Sequence, residues 1–254
     1  MMFLENTKAC NVCLVVNTVS HCKDLWEMFF GQIDIHYPNN KIYVFTDDEV
    51  GLPVNVTPIR YDPKDNFRTQ YLSCIRRVKE DFVIYLNEDY ILYDDVNVEL
   101  MNEYVELMRS DLEISFIKTN KSVNSTQRKY RGRENLMYLS PNREYFFSQN
   151  AALWRRKDLE RVHEAGPDLH IGDLRTTLQF EVEANQVCRD LKLQGLYMYH
   201  GEPKRGKYHY DSNVFPYIAT AIIKGKWNLR EYFKELSPLL TKYGINPDVR
   251  GSNR

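Results

Sequence analysis

Apolar residues fall along the first third of the chain in blocks that alternate between two periods. Val12-Cys13-Leu14-Val15-Val16 is an unbroken apolar run, the pattern of a strand covered on both faces, as in parallel sheets. It ends at Asn17-Thr18, and an amphipathic helical stretch follows through Asp24-Leu25-Trp26-Glu27-Met28-Phe29-Phe30. Lys41-Ile42-Tyr43-Val44-Phe45 predicts a second strand, closed by Thr46-Asp47-Asp48 and a turn marked by Gly and Pro. From Thr69 to Lys79, Tyr71, Leu72, Ile75 and Val78 recur at helical spacing. Phe82-Val83-Ile84-Tyr85-Leu86 is the third strand and runs directly into Asn87-Glu88-Asp89. Alternating strands and helices predict an α/β fold with an open, mostly parallel sheet. In such sheets ligands collect at the carboxyl ends of the strands. The three polar strand ends therefore predict one shared cleft.

Beyond Asp89 the pattern is mixed. A helix is expected over Val98 to Met108 and a short strand over Ile114-Ser115-Phe116-Ile117. Ser122 to Glu134 carries Arg128, Lys129, Arg131 and Arg133 and reads as a loop, either a solvated surface loop or a substrate-binding one. Tyr145-Phe146-Phe147-Ser148 is strand-like, and a helix is expected from Ala151 through Val162. A last amphipathic helix covers Leu229 to Tyr243, and Pro247 to Arg254 reads as frayed. With no internal repeat, low-complexity tract or long linker, residues 1–254 read as one domain. Its parts would be a first half over about 1–95, a second over about 96–228 and a helical extension over 229–254.

Composition narrows the partners. The chain of 254 residues is 43% hydrophobic and 27% charged, enough for one sizeable core. Its 34 Lys+Arg against 35 Asp+Glu leave a formal charge of -1, without the basic excess that duplex binding by phosphate neutralisation needs. Nucleic acid is excluded as a main partner. No apolar run approaches the ~18 residues of a membrane span, mean hydropathy is -0.54, and Met1 to Asn6 lacks the order of a signal peptide. A cytoplasmic protein is expected, with peripheral membrane contact and oligomeric state left open. The 5 cysteines include Cys10-Asn11-Val12-Cys13. No second C-x-x-C or paired His accompanies this spacing, so buried, reduced thiols are the better reading.

Acidic residues placed straight after a buried strand are costly unless a positive charge neutralises them. Hard carboxylate oxygens suit Mg²⁺ or Mn²⁺, which in turn binds phosphate oxygens. Leu86-Asn87-Glu88-Asp89-Tyr90 thus reads as a metal and diphosphate site. An apolar strand followed by x-x-Asp, behind a nucleotide-binding α/β half, resembles the GT-A class of nucleotide-sugar glycosyltransferases. Asn87 departs from the first Asp of their D-x-D motif, whereas Asp89 matches the last. The resemblance makes Asp89 the metal ligand, Glu88 a supporting carboxylate and Asn87 a neighbour of the ribose.

Other segments resemble one branch of this class, found among microbial and viral polysaccharide-building enzymes. They are Phe147-Ser148-Gln149-Asn150-Ala151-Ala152-Leu153-Trp154-Arg155-Arg156, Leu178-Gln179-Phe180-Glu181, Lys204-Arg205-Gly206-Lys207, and Phe215-Pro216-Tyr217 leading to Lys224-Gly225-Lys226-Trp227. The resemblance implies a GT-A-like single domain, a mixed, mostly parallel sheet flanked by helices. It also implies metal-dependent, inverting transfer of a sugar from a UDP-linked donor to a hydroxyl of a saccharide or lipid-linked glycan. Glu181 would be the catalytic base, with Asp173 or Glu183 as substitutes. Lys204, Arg205 and Lys207 would close over the diphosphate about Gly206. Asn17, Thr18 and Asp47 would surround base and ribose, and Arg68 and Tyr71 would reach phosphate and base. His200 would be a further metal ligand, with His209 as second choice.

Each of these has a plainer reading: Asn17-Thr18 as a helix cap, Arg68 as a surface charge, Tyr71 as core, His200 as a hydrogen-bonded strand end. Two other functions stay open. A sugar-nucleotide nucleotidyltransferase would share sheet and metal, but Asn17 to Lys23 holds no glycine to wrap a triphosphate. A catalytically silent nucleotide-sugar or glycan-binding module would account for Asn87.

Overall fold

The computed structural model describes residues 12–122, 127–169 and 176–253, with 176–178 described through their backbone alone. Cys10 and Asp173 lie outside the described residues. Nine strands are β1 (Val12–Asn17), β2 (Ile42–Thr46), β3 (Thr57–Arg60), β4 (Phe82–Asn87), β5 (Ile91–Leu92), β6 (Ile114–Lys118), β7 (Leu136–Tyr138), β8 (Ala152–Arg155) and β9 (Gln194–Met198). Two-residue strands follow: β10 (Lys204–Arg205), β11 (His209–Tyr210), β12 (Tyr217–Ile218), β13 (Ile222–Ile223) and β14 (Lys226–Trp227). The helices are α1 (Lys23–His36), α2 (Phe67–Ile75), α3 (Val98–Ser110), α4 (Arg156–Glu164), α5 (Thr176–Asp190), α6 (Leu229–Lys242) and α7 (Pro247–Arg250).

An 8-stranded sheet in the order β3-β2-β1-β4-β8-β6-β9-β7 forms the centre. Strands β1 to β4 pair in parallel, β8 runs antiparallel between β4 and β6, β9 returns parallel to β6, and β7 is antiparallel to β9. This is the mixed, mostly parallel α/β sheet flanked by helices that the sequence pattern predicts. The chain builds outward from β1 to β2 and β3, then crosses back to lay β4 on the other side of β1. Such a reversal leaves a crevice at the carboxyl ends of the two strands where their connections diverge.

The unbroken apolar runs are explained by burial on two faces. Val12, Leu14 and Val16 join Ile84 and Leu86 in one core with α1, α3 and α6. Cys13 and Val15 join Val83 and Tyr85 in the other, with α2, α4 and α5. Helix α2 starts two residues earlier than its apolar spacing suggests because the Asn66 side chain caps it, accepting from Thr69 N at 2.8 Å.

Three expectations are corrected. The strand-like Tyr145–Ser148 segment is loop, and the expected helix start is instead strand β8. Ala152, Leu153 and Trp154 are buried between β4 and β6, so pairing on two edges outweighs the helix propensity of alanine. Residues 247–253 are packed rather than frayed: Asn246 caps α7, and Trp227 exchanges main-chain hydrogen bonds with Gly251 and Asn253 at 3.0 and 2.8 Å. In the basic segment, Lys129 pairs with Glu134, Arg131 with Asp111 and Arg133 with Glu103, which supports a surface role. No helix among the described residues is long and apolar enough to cross a membrane.

His163 is fully buried, with neither ring nitrogen bonded, and stacks on Tyr71 and Phe180 at centroid distances of 3.4 and 4.7 Å. Burial holds its imidazole well below the usual pKa of 6.5, so the unfolded chain takes up a proton that the folded one refuses. The stability this group contributes is present above pH 6.5 and drains away as pH falls. Relative to His163→Phe, whose packing offset does not vary with pH, the wild type should lose about 1–2 kcal/mol of unfolding free energy between pH 7.5 and 5, read by urea titration.

Candidate functional site

Asn17 and Asn87 are register partners at the ends of β1 and β4. Where the chain turns away from both, a cavity of about 340 Å³ opens. Asn17, Thr18, His21 and Cys22 line it from the β1 side, Asn87, Glu88 and Asp89 from β4, and Tyr61, Phe67 and Tyr71 form an aromatic wall; Gln149, Ile222 and Arg250 also line it. Thr18 is locked in place: its Oγ1 accepts from Trp26 Nε1 at 2.9 Å, and its carbonyl accepts from Tyr61 Oη at 3.1 Å.

The acidic pair is recessed into this cavity. Burial raises the Glu88 carboxyl above its ordinary value. Burial, then the Glu88 charge, pushes Asp89 up to about 8. The Cys22 and Thr18 side chains beside Glu88, and the Ile222 N–H beside Asp89, hold back the rise of the two carboxyl pKa values. His21 acts electrostatically on Glu88 to the same end. Among the described residues no Lys, Arg or His forms an ion pair with either. Arg250 comes nearest in role, but its guanidinium is paired with Asp24 at 2.7 and 2.5 Å. Two hard, uncompensated carboxylates fit a divalent cation that fills the rest of its shell with water and phosphate oxygens. The tightest cluster of ligand-type side chains among the described residues, His36 with Asp94 and Asp95, lies at the far end of α1.

Glu181, on α5, stands behind Gln149. Its Oε1 accepts from Gln149 N at 2.6 Å, and Gln149 Oε1 accepts from Asn87 Nδ2 at 3.2 Å. Burial raises the Glu181 carboxyl, opposed by that N–H and by Lys118. Lys118 is itself buried and donates to Tyr145 O at 2.8 Å and Ser148 Oγ at 2.7 Å. Burial, then Arg143, brings its ammonium down to about 7. Asn185 adds a second clip from α5, accepting from Phe147 N at 2.9 Å.

The structure thus brings Asn17, Thr18, Tyr71, Asn87, Glu88 and Asp89 to one cavity and ties Glu181 to its rim. Others stand apart. Asp47 spends its carboxylate on Ser20, accepting from N and Oγ at 2.7 Å each, so it caps the turn after β1 in place of Asn17-Thr18. Arg68 donates to Gly166 O and Asp168 Oδ2, both at 3.4 Å. His200 sits at the end of β9, three strands from β4 or roughly 14 Å at sheet spacing, with its Nδ1 3.5 Å from Glu202. His209 is hydrogen-bonded to Tyr232. Arg205 is bound to Asp211 at 3.1 and 3.2 Å and to Glu235 at 2.6 Å, over the Tyr232 ring. Those bonds fix it to α6, in place of the mobile clamp the basic cluster suggests, while Lys204 and Lys207 are exposed. Three described cysteines, Cys13, Cys74 and Cys188, are buried and free; Cys22 is half-buried at the cavity.

Sequence reasoning assigned no role to Gln149 and Arg250. For Arg250 the Asn246-Pro247-Asp248 start of a capped helix was a readable signal. For Gln149 the Phe147–Arg156 segment was marked by resemblance, but its own role arises from contacts with Asn87 and Glu181, 62 and 32 residues away.

No protein-family model and no curated protein matches the chain. Among solved structures, it is similar to the mannosyltransferase PcManGT from Pyrobaculum calidifontis in complex with GDP-Man and Mn²⁺, at 14% identity and a TM-score of 0.45, covering 77% of this chain and 58% of that one. It is similar to S. aureus TarS 1-349 at 11% identity and a TM-score of 0.47, covering 93% and 66%. It is also similar to CMP:2-keto-3-deoxy-manno-octonic acid synthetase complexed with CTP, at 11% and 0.45, covering 74% and 88%. All three likenesses are remote.

Asp89 carries a raised carboxyl pKa, so its contribution to folding is favourable at acid pH and is lost as pH rises through about 8. Asp89→Asn should therefore raise the melting midpoint of the metal-free protein at pH 8.5. Mn²⁺ at 100 times its Kd should stabilise the wild type by about 2.7 kcal/mol and leave Asp89→Asn unmoved in a thermal-shift titration.

Proposed function

We propose that the protein is a metal-dependent glycosyltransferase that moves a sugar from a nucleotide-sugar donor, UDP-linked, to a hydroxyl of a saccharide or lipid-linked glycan with inversion. The single observation that carries this reading is the pair of uncompensated carboxylates, Glu88 and Asp89, in an aromatic-walled cavity at the β1/β4 switch point. Tyr61 and Phe67 offer aromatic surface to a nucleobase, with Tyr71 held in the core behind the cavity wall by its stack on His163, while Asn17 and Asn87 offer amides to ribose. A divalent cation held by Asp89 and Glu88 would supply Lewis-acid stabilisation of the departing diphosphate. Arg250 adds a positive group on the same cavity wall.

Glu181 takes the acceptor hydroxyl's proton. A raised pKa makes a carboxylate a stronger base, provided it is ionised at working pH. The Gln149 main-chain N–H holds one carboxylate oxygen, and the other would take the proton. Lys118 and Asn185 fasten the loop that carries this N–H, so the base is oriented before substrate arrives.

Donor turnover with Mn²⁺ tests the reading. Asp89→Ala should lower turnover by at least about 100-fold, and Glu181→Gln should lower transfer by about 10²–10⁴-fold. The product distinguishes chemistries: release of a nucleoside diphosphate fits glycosyl transfer, release of pyrophosphate from a nucleoside triphosphate and a free sugar fits the nucleotidyltransferase. Turnover unaffected by Asp89→Ala would remove the metal assignment. Because the base must be ionised, kcat/KM should fall on the acid side through a pKa above the 4.5 of an ordinary glutamate, and this limb should vanish in Glu181→Gln.

A further inference from the structure

Gln149 is 4% exposed and lines the cavity, yet its Nε2 has no hydrogen-bond partner. Its other polar atoms are spent: Oε1 on Asn87 Nδ2 and N–H on Glu181. Leaving a buried amide donor unpaired is costly, and buried polar groups that remain so in a folded protein usually meet a ligand or water. Here the orphan donor lies between two groups whose roles differ. On one side are Asn87 and the carboxylates that face the diphosphate; on the other is Glu181, which faces the acceptor.

Resting on the glycosyl-transfer reading above, we propose that Gln149 Nε2 donates a hydrogen bond to a hydroxyl oxygen of the transferred sugar ring, and so selects the donor sugar. In direct displacement the anomeric carbon must lie between the leaving diphosphate and the hydroxyl whose proton Glu181 takes. The ring therefore occupies the gap that Gln149 spans. The nucleobase belongs to the aromatic part of the lining, Tyr61 and Phe67, with which Gln149 makes no hydrogen bond. A side chain fixed by Asn87 and by its own main chain is pre-set, so it rewards a sugar carrying an oxygen at one position. It penalises a sugar lacking that oxygen by leaving the donor unpaired.

The test uses Gln149→Met, which keeps side-chain length and the main-chain bond to Glu181 while removing the amide, its bond to Asn87 as well as its free donor. The lost Asn87 bond is common to every probe, so comparing nucleotide sugar with bare nucleotide isolates the donor. Calorimetric titrations of the full chain with Mn²⁺ would use UDP, GDP, UDP-glucose, UDP-N-acetylglucosamine and GDP-mannose. For the bare nucleotides, wild type and Gln149→Met should agree within about twofold, which also shows that the variant folds. For the bound nucleotide sugar the variant should be weaker by about 5- to 15-fold. Among monodeoxy donors, one should cost the wild type the same factor and cost the variant nothing further, the signature of a direct contact. Equal weakening of nucleotide and nucleotide sugar, or no change in either, would overturn the assignment to the sugar while leaving the transferase reading in place. Failure of the wild type to bind any of the five probes would overturn both.

Discussion

The site depends on two carboxylates that leave a strand buried on both faces with no cationic side chain to meet them. Taking such charges out of water costs several kcal/mol each unless they are paired or protonated. The chain meets that cost only in part, through Thr18 and Cys22 on Glu88 and the Ile222 N–H on Asp89. The one arginine lining the same cavity is itself neutralised by Asp24. Protonation meets the rest in the metal-free protein, since burial raises both carboxyls and pushes Asp89 up to about 8. On the proposed reading a divalent cation would take the place of those protons. An anionic diphosphate would be drawn in only behind that cation, so cation and donor would be expected to bind together.

On the proposed reading the acidic pair also needs a base at a fixed distance, the part given to Glu181. The distance is set by a short relay: Asn87 at the end of β4 holds the Gln149 side chain, and the Gln149 main chain holds Glu181 on α5. The 145–149 loop between them has no regular secondary structure, and its shape is imposed from outside. Lys118 pulls it from β6 through Tyr145 O and Ser148 Oγ, and Asn185 pulls it from α5 through Phe147 N. The buried ammonium thus has two functions: it ties the loop to the sheet, and its charge tempers the rise in the Glu181 pKa. Moving one of these anchors would shift orientation and basicity of Glu181 together.

What the sequence made legible follows burial. Strands β1, β2 and β4 are apolar on both faces, so their runs and polar ends could be read directly, and with them the cleft at the β1/β4 reversal. Strand β3 escaped because only Ile59 of its four residues is buried. Strand β8 was read as helix because Ala151 and Ala152 favour one locally, whereas β4 and β6 supply two partners that no local pattern reveals. At the site, Asn17, Thr18, Tyr71, Asn87, Glu88 and Asp89 could be placed since each follows or supports a readable strand. Asp47 and Arg68 could not, as their partners, Ser20 and the Gly166–Asp168 turn, come from other segments.

The two arginine-bearing segments near the end of the chain show why charge clusters mislead. Lys204-Arg205-Gly206-Lys207 has the composition of a phosphate clamp. In the fold, Arg205 uses its planar fork to staple β10 to Asp211 and to Glu235 on α6, a task suited to guanidinium geometry. Gly206 has a positive φ of 55°, and a Cβ there would collide with the Glu231 carboxylate, so in this structure the turn is packed against α6. The positive group that does reach the cavity is Arg250, carried on the short helix α7 and held by the main-chain bonds of Gly251 and Asn253 to Trp227. Trp227 is buried in the core that also packs β1 and β4. The terminal segment is thereby braced on the same core as the acidic strand end, and one packing arrangement sets how far the positive group stands from the carboxylates.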